Sequence, residues 1–524
     1  MDRPTTTVTS IARALALPVI VAVGAFLAVS LHRTGHTQGD DFALYLRQAR
    51  SVFDGDVAQV VADNRFAVLN SDNAFSPIAY PWVWPLLLSP FVRFWGLDYD
   101  RLKLVEVATY CLWLVLFHGI VRRRIGWWPA IAVVTVFATA PLYLAHTDQL
   151  LTEFPHLAAV ALVIWWYDRI RRSTTLLTAS TLQLVALGAL VVLAFNVRRE
   201  SVVLLAMIAV MQLYDVLHDR ATDESRINGM VRTTRERWRA IATPFISFAV
   251  TATLAQLLLP TTLLPDNGNS REFIDDRMSE YPAVLSEQLG LGENTTIGVL
   301  VLIVAAVGIV IGLRQRPTLD GPLALVGVLS ALAISTHFRQ VDRYWFQVTP
   351  WVVYFATVTL VAIGAWLSAR AARRRPGLAR AVTVAALLPL AALVVAHAVT
   401  LSGDISDARE YNDAGRVQSG PSNPSVAPVF DAVLAQTPPD AIVAHFRART
   451  MTLLTDRRSF QTKQLDRIAR SADYYAERRD STFWQPELTA QDAAAAGFEE
   501  IWSDQRWILW KIPETPPPEV TPGP

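Results

Sequence analysis

Charge, lysine and cysteine are what this 524-residue chain has least of. Only 18% of its residues are charged, against about a quarter in a soluble domain. The deficit is concentrated in long uncharged blocks, which excludes a soluble enzyme and points to membrane helices. The single cysteine, Cys111, excludes both a disulfide framework and a cysteine-rich metal site. Net charge is +1, so no overall basic field argues for nucleic acid. Of 47 basic residues only Lys103, Lys463 and Lys511 are lysines. With abundant alanine and valine, that composition fits a GC-rich bacterial genome. No phosphate loop, dinucleotide fingerprint, zinc motif or short-period repeat is present.

What the chain does have is hydrophobic length. Uncharged blocks run 14–32, 125–147, 173–197, 240–265, 294–313, 321–338, 344–369 and 381–403. Each approaches or exceeds the roughly 20 residues that a helix needs to cross the hydrocarbon core. Shorter blocks at 107–121, 154–167 and 201–214 reach that length with a flanking turn, giving eleven expected crossings. The segment 81–97 is apolar but carries Pro81, Pro85, Pro90 and Arg93. Arginine clusters at 122–124, 169–172, 220–239, 314–316 and 370–375 belong inside by the positive-inside rule. The blocks between 125 and 369 then alternate without violation, and 381–403 leads out. Parity places the N-terminus in the cytoplasm if 81–97 dips and returns. The first apolar run lacks a small-residue cleavage site and reads as an uncleaved span.

The expected organisation is therefore an all-α polytopic membrane domain over 1–402, with an outer loop at 32–80. A small extracytoplasmic α/β domain over 403–513 follows, then a proline-rich tail at 514–524 that reads as disordered.

Polar groups that avoid lipid gather in four places, all on the outer face if the alternation holds. Asp40 and Asp41 head a stretch that continues Phe42-Ala43-Leu44-Tyr45. Adjacent carboxylates repel, which raises the proton affinity of at least one and suits it to act as a general base. Either could equally cap the following helix. The second group is His146, Asp148 and Glu153, with Pro155 in the first turn of the next span. There a carboxylate is favoured by the helix dipole, or it faces the first pair across a cavity. The third is Arg198-Arg199-Glu200. The fourth is Arg339, Asp342, Arg343 and Tyr344. Arginines on the outer face run against the positive-inside trend; a guanidinium fork for phosphate would explain them, and so would an internal ion pair such as Arg199 with Glu200. Carboxylates and arginines together fit a substrate with a phosphate and a hydroxyl to be deprotonated.

These residues resemble the polytopic GT-C glycosyltransferases, in the branch of protein O-mannosyltransferases and aminoarabinose transferases. Asp40-Asp41-Phe42-Ala43-Leu44-Tyr45 with Ala49-Arg50 and Gly55 is similar to the family's acidic first-loop motif. Tyr80-Pro81-Trp82-Val83-Trp84-Pro85 with Gly96 resembles its proline-rich segment, and Thr152-Glu153-Phe154-Pro155 its second-loop element. Arg199-Glu200 and Arg343-Tyr344 with Pro350 match weaker features. Phe446-Arg447-Ala448-Arg449 and Leu453-Leu454-Thr455-Asp456-Arg457-Arg458 are similar to the extracytoplasmic domain of many bacterial members. One departure is the lysine that often opens the proline segment; here stands Ala79-Tyr80-Pro81.

The resemblance implies inverting transfer of a sugar, mannose or arabinose in the first place, from a polyprenyl-phosphate donor. The acceptor would be the hydroxyl of a glycan, glycolipid or protein. It makes Asp40 or Asp41 the base and Glu153 an orienting carboxylate. Tyr45, His146, Asp148, Arg198, Arg199, Arg339, Arg343 and Tyr344 would line the substrate site, with Arg199, Arg339 and Arg343 neutralising the departing phosphate. Most members of this branch need no nucleotide and many need no metal, while paired outer carboxylates could hold a divalent cation. The implied location is the plasma membrane. The competing reading is a lipid-linked substrate transporter or flippase without chemistry, which predicts mid-membrane charges and an inverted repeat; neither is visible.

Overall fold

The computed structural model describes residues 4–72, 77–219, 226–261, 275–336, 341–373, 378–480, 484–486 and 488–514. Among them, eight helices are long and apolar enough to cross a membrane. They are Ser10–Ser30, Tyr99–Ile125, Arg199–His218, Ile227–Leu258, Thr295–Gln315, Pro317–Ser335, Thr349–Ala372 and Leu388–Asp413. Trp127–Ala138 and Thr181–Phe195 are shorter apolar helices. Glu153–Ile170 has 18 residues but carries Glu153, Asp168 and Arg169. Each of the eleven expected spans thus has its helix. The 125–147 block is broken, because Pro141 has no N–H to continue the ladder from Trp127–Ala138 into Pro141–His146. The apolar 81–97 segment becomes Val83–Trp95, thirteen residues or about 20 Å of helix, short of the roughly 30 Å core.

Two compact units result. The first comprises 1–32, 103–255 and 270–410, and the second 33–102, 256–269 and 411–524. This differs from the expected boundary at 402, which left the loop 32–80 with the spans. The physical reason is bonding inside the second unit. Thr462 Oγ1 donates to Asp72 Oδ1 at 2.9 Å, and the Gln461 N–H to Ser71 Oγ at 2.9 Å. Phe66 packs edge-on to Phe460, 6.2 Å between centroids. Gln418 N–H bonds the Thr34 carbonyl and Gly420 N–H the His36 carbonyl, both at 2.9 Å. A Cβ at Gly420 would sit 2.1 Å from that carbonyl oxygen, so only glycine permits the approach.

In the first unit, helix ends gather by charge. Arg124 makes two bonds to Asp168, at 2.6 and 2.9 Å, and lies 3.5 Å from Asp320. Three helices that were expected to have their basic ends on one side therefore meet there. The opposite end of Glu153–Ile170 carries Glu153, about 22 Å away along the axis.

The second unit holds a five-stranded mixed sheet of order β2-β1-β3-β5-β4. Its strands are β1 Ile442–Ala444, β2 Arg458–Phe460, β3 Tyr474–Arg478, β4 Glu499–Ser503 and β5 Trp507–Lys511. β1 runs parallel to β2 and β3, while β5 is antiparallel to β3 and β4. Alternation of side chains fills both faces. Trp507 and Leu509 join Val429, Phe430 and Met451 on one, and Ile508 and Trp510 join Phe460 and Ile468 on the other. Residues 515–524, most of the tail read as disordered, lie outside the described residues.

Candidate active site

Asp40 precedes the helix Asp41–Asp54, which closes where Gly55 takes a left-handed φ of 79° and its N–H caps Ser51. Asp40 occupies the N-cap position yet makes no side-chain bond to the helix amides. Its Oδ1 instead accepts from Thr450 Oγ1 at 3.2 Å, and its Oδ2 is buried without a partner. Burial pushes the Asp40 carboxyl above the ordinary aspartate range, against the opposing pull of Arg447 and Arg449. Asp41 differs: its side chain is 35% exposed, and its Oδ1 accepts from the Tyr80 hydroxyl at 2.6 Å. Arg449 Nη1 stands 3.7 Å from the same oxygen. Tyr45 is buried, with its ring 4.6 Å from that of Tyr80.

Arg449 is itself buried, and every nitrogen of its guanidinium is engaged. Nε donates to Asn64 Oδ1 at 3.1 Å, Nη1 to Tyr80 Oη at 3.2 Å and Nη2 to the Pro77 carbonyl at 3.0 Å. Burial opposes its charge, but Tyr80, Asp41 and Asp40 outweigh that and leave the guanidinium more firmly protonated than usual. Neither Tyr80 nor Arg449 was among the expected site residues. Both stood in the quoted motifs, but some 370 residues separate them, and nothing local tells which arginine of Phe446-Arg447-Ala448-Arg449 turns inward.

The first unit builds its own cluster at the start of Glu153–Ile170. Glu153 Oε1 accepts from Arg198 Nη1 at 3.1 Å and lies 3.4 Å from Arg343 Nε. Arg198 also reaches Glu200 at 3.3 Å, so the ion pair to Glu200 comes from Arg198. The guanidinium groups of Arg198 and Arg343 stack on Tyr344, 5.0 and 5.8 Å from its centroid. His146 packs against Phe346, with 4.9 Å between ring centroids. Arg199 lies over Phe195 at 4.3 Å and donates to the Phe195 carbonyl at 3.4 Å. Asp148 pairs with the fully buried Lys103 at 2.7 Å. Glu106, one turn beyond Lys103, is fully buried with neither carboxylate oxygen hydrogen-bonded. The expected residue Arg339 lies outside the described residues.

The structure thus joins Glu153, Arg198, Arg343 and Tyr344 in one cluster, and Asp40, Asp41 and Tyr45 in another. Asp148 and Arg199 bond elsewhere. Among the described residues no group of three or more His, Cys, Asp or Glu side chains is arranged to hold a metal ion.

No protein-family profile and no curated protein matches the chain. Solved structures do. ArnT from Cupriavidus metallidurans bound to undecaprenyl phosphate aligns over 95% of this chain and 97% of its own, with TM-score 0.54 and 14% identity. Its apo state gives the same TM-score and coverage at 12% identity. The Archaeoglobus fulgidus oligosaccharyltransferase in the apo form aligns over 88% of this chain and 69% of its own, with TM-score 0.51 and 10% identity. The chain has the GT-C fold. Of the carboxylates and arginines read from the sequence, Asp40 and Asp41 lie in one of the clusters just described and Glu153, Arg198 and Arg343 in the other.

Proposed function

We propose that this GT-C chain is an integral-membrane glycosyltransferase that moves a sugar from a polyprenyl-phosphate donor to an extracytoplasmic acceptor hydroxyl with inversion. The observation that carries the reading is the end-to-end match with ArnT bound to undecaprenyl phosphate, which leaves little of either chain without a counterpart. Asp41 supports it as the base, since a third of its side chain is open to a substrate while Asp40 is buried against Thr450. Asp41 takes the proton of the acceptor hydroxyl as that oxygen attacks the anomeric carbon. The bond from this carbon to the phosphate oxygen breaks on the opposite face, and polyprenyl phosphate departs with its charge. Within the first unit, Glu153 orders Arg198 and Arg343, a pair of guanidinium groups able to hold a phosphate. A sugar such as mannose or arabinose, and a glycan, glycolipid or protein acceptor, complete the reading. The Asp41 side of the molecule then lies outside the plasma membrane, with the N-terminus in the cytoplasm.

Purified protein in nanodiscs, offered a panel of polyprenyl-phosphate sugars, is expected to release free polyprenyl phosphate from one of them. Binding to none would remove the donor class and favour the transporter or flippase reading. Orientation is tested by cysteine labelling after Cys111→Ser: positions 59 and 466 should label from outside and 237 only after lysis. Label at 466 only after lysis would invert the topology.

A further inference from the structure

Four segments of the second unit meet around Arg449 and the Asp41 carboxylate. They are the helices Asp41–Asp54, Val57–Asn70 and Ala448–Thr455, with residues 77–80 between them. Tyr80 is held at both backbone groups by one side chain: its N–H donates to Gln48 Oε1 at 3.1 Å, and Gln48 Nε2 donates to its carbonyl at 3.0 Å. Its ring lies under the Arg449 guanidinium, 5.2 Å from centroid to Cζ. Its hydroxyl accepts from Arg449 and donates to Asp41. The result is a directed chain from a fixed cation through a phenol to a partly open carboxylate.

We propose that Tyr80 and Arg449 are positioning residues for Asp41, so that the C-terminal α/β region is a working part of the catalytic base. The inference rests on the reading of Asp41 as that base. Three physical points support it. A guanidinium that is 5% exposed is costly to bury, and a merely structural contact at this place is as well made by apolar packing. A donor polarised by a cation is stronger than a lone hydroxyl, and a phenol locked at both ends fixes the carboxylate rotamer. The neighbouring carboxylate of Asp40 turns to Thr450, while the Tyr80 hydroxyl donates to Asp41. Among the described residues, the charged and titratable groups facing Asp41 are Asp40 beside it, Tyr80 from the 77–80 segment and Arg449 from the helix beyond β1, with Arg447 acting on Asp40.

The test uses the full-length protein in nanodiscs with whichever donor releases polyprenyl phosphate. It measures kcat, KM and the acid limb of the pH profile for Tyr80→Phe, Arg449→Lys and Arg449→Met, with thermal midpoints alongside. Tyr80→Phe is expected to lower kcat about tenfold or more, the weight of one hydrogen bond to a charged group. Its KM for donor and its thermal midpoint should stay near wild type. Its acid limb should move to higher pH, since a carboxylate that loses a donor holds its proton longer. Arg449→Lys should fall between wild type and Arg449→Met, and if the Met variant does not fold, the other two decide. Wild-type kcat and acid limb in both Tyr80→Phe and Arg449→Lys, with Asp41→Asn inactive, would overturn the positioning role alone. Wild-type turnover by Asp41→Asn would instead overturn the base on which it rests.

Discussion

Glu153 and Asp41 are both carboxylates at the start of a helix, yet their surroundings treat the charge in opposite ways. Glu153 is 5% exposed, and one of its oxygens is shared by two guanidinium groups, at 3.1 and 3.4 Å. Asp41 is 35% exposed and meets a neutral hydroxyl at 2.6 Å, with its one described guanidinium neighbour held off at 3.7 Å. A carboxylate neutralised by two arginines is a poor proton acceptor and a good clamp. One that is oriented by a phenol and open on one side keeps its reach to a substrate. Chemistry therefore belongs with Asp41, and the ordering of arginines with Glu153.

The largest effect expected from that contrast is on turnover. Asp41→Asn should lower it by about two to four orders of magnitude, the usual weight of a general base, with an unchanged thermal midpoint. Asp40→Asn should cost less activity, because its carboxylate sits on Thr450. Glu153→Gln should show the converse pattern. It removes the buried charge that Arg198 and Arg343 share, although Arg198 keeps Glu200, so stability should fall by about 1 to 3 kcal/mol, which denaturation in detergent would read. A stable but inactive Glu153→Gln beside an active Asp41→Asn would reverse the two roles.

Acid should weaken the region around Asp41. His445 is fully buried, with Trp507 stacked 5.7 Å away, and precedes the helix that carries Arg449. Burial lowers its pKa from 6.5 to about 3. The unfolded chain therefore binds a proton below pH 6.5 that the folded chain refuses until about pH 3. Stability is full above pH 6.5 and is lost progressively as pH falls through that window, by on the order of 5 kcal/mol. The unfolding midpoint of His445→Gln should be flatter with pH over the same interval. The smallest effect is a control in the same unit. Thr489 and Asp492 form a capping box on Ala490–Ala495, so Thr489→Ala should cost about 1 kcal/mol and leave turnover alone.

Much of this was legible in the chain itself, because long uncharged runs and arginine clusters follow from the physics of the bilayer. Eight of the eleven expected spans are helices long and apolar enough to cross a membrane, and the carboxylate pair and the arginines that meet Glu153 also stand out in the sequence. Three things were not. The grouping of 33–102 with the C-terminal region depends on bonds such as Asp72 with Thr462, across almost 400 residues. Tyr80 read as part of a proline-rich segment, and only its hydroxyl's direction makes it a partner of Asp41. Lys103 and Glu106 fell at the polar edge of a span and looked like its boundary, whereas both are fully buried. Hydropathy reports how much charge a segment carries, and it is silent on where each side chain turns.

The most direct measurement is the release of polyprenyl phosphate from one accepted donor by wild type and Asp41→Asn side by side in nanodiscs, with donor binding read in parallel. The account predicts release by wild type, and binding without appreciable release by Asp41→Asn. Equal release by the two proteins would contradict it.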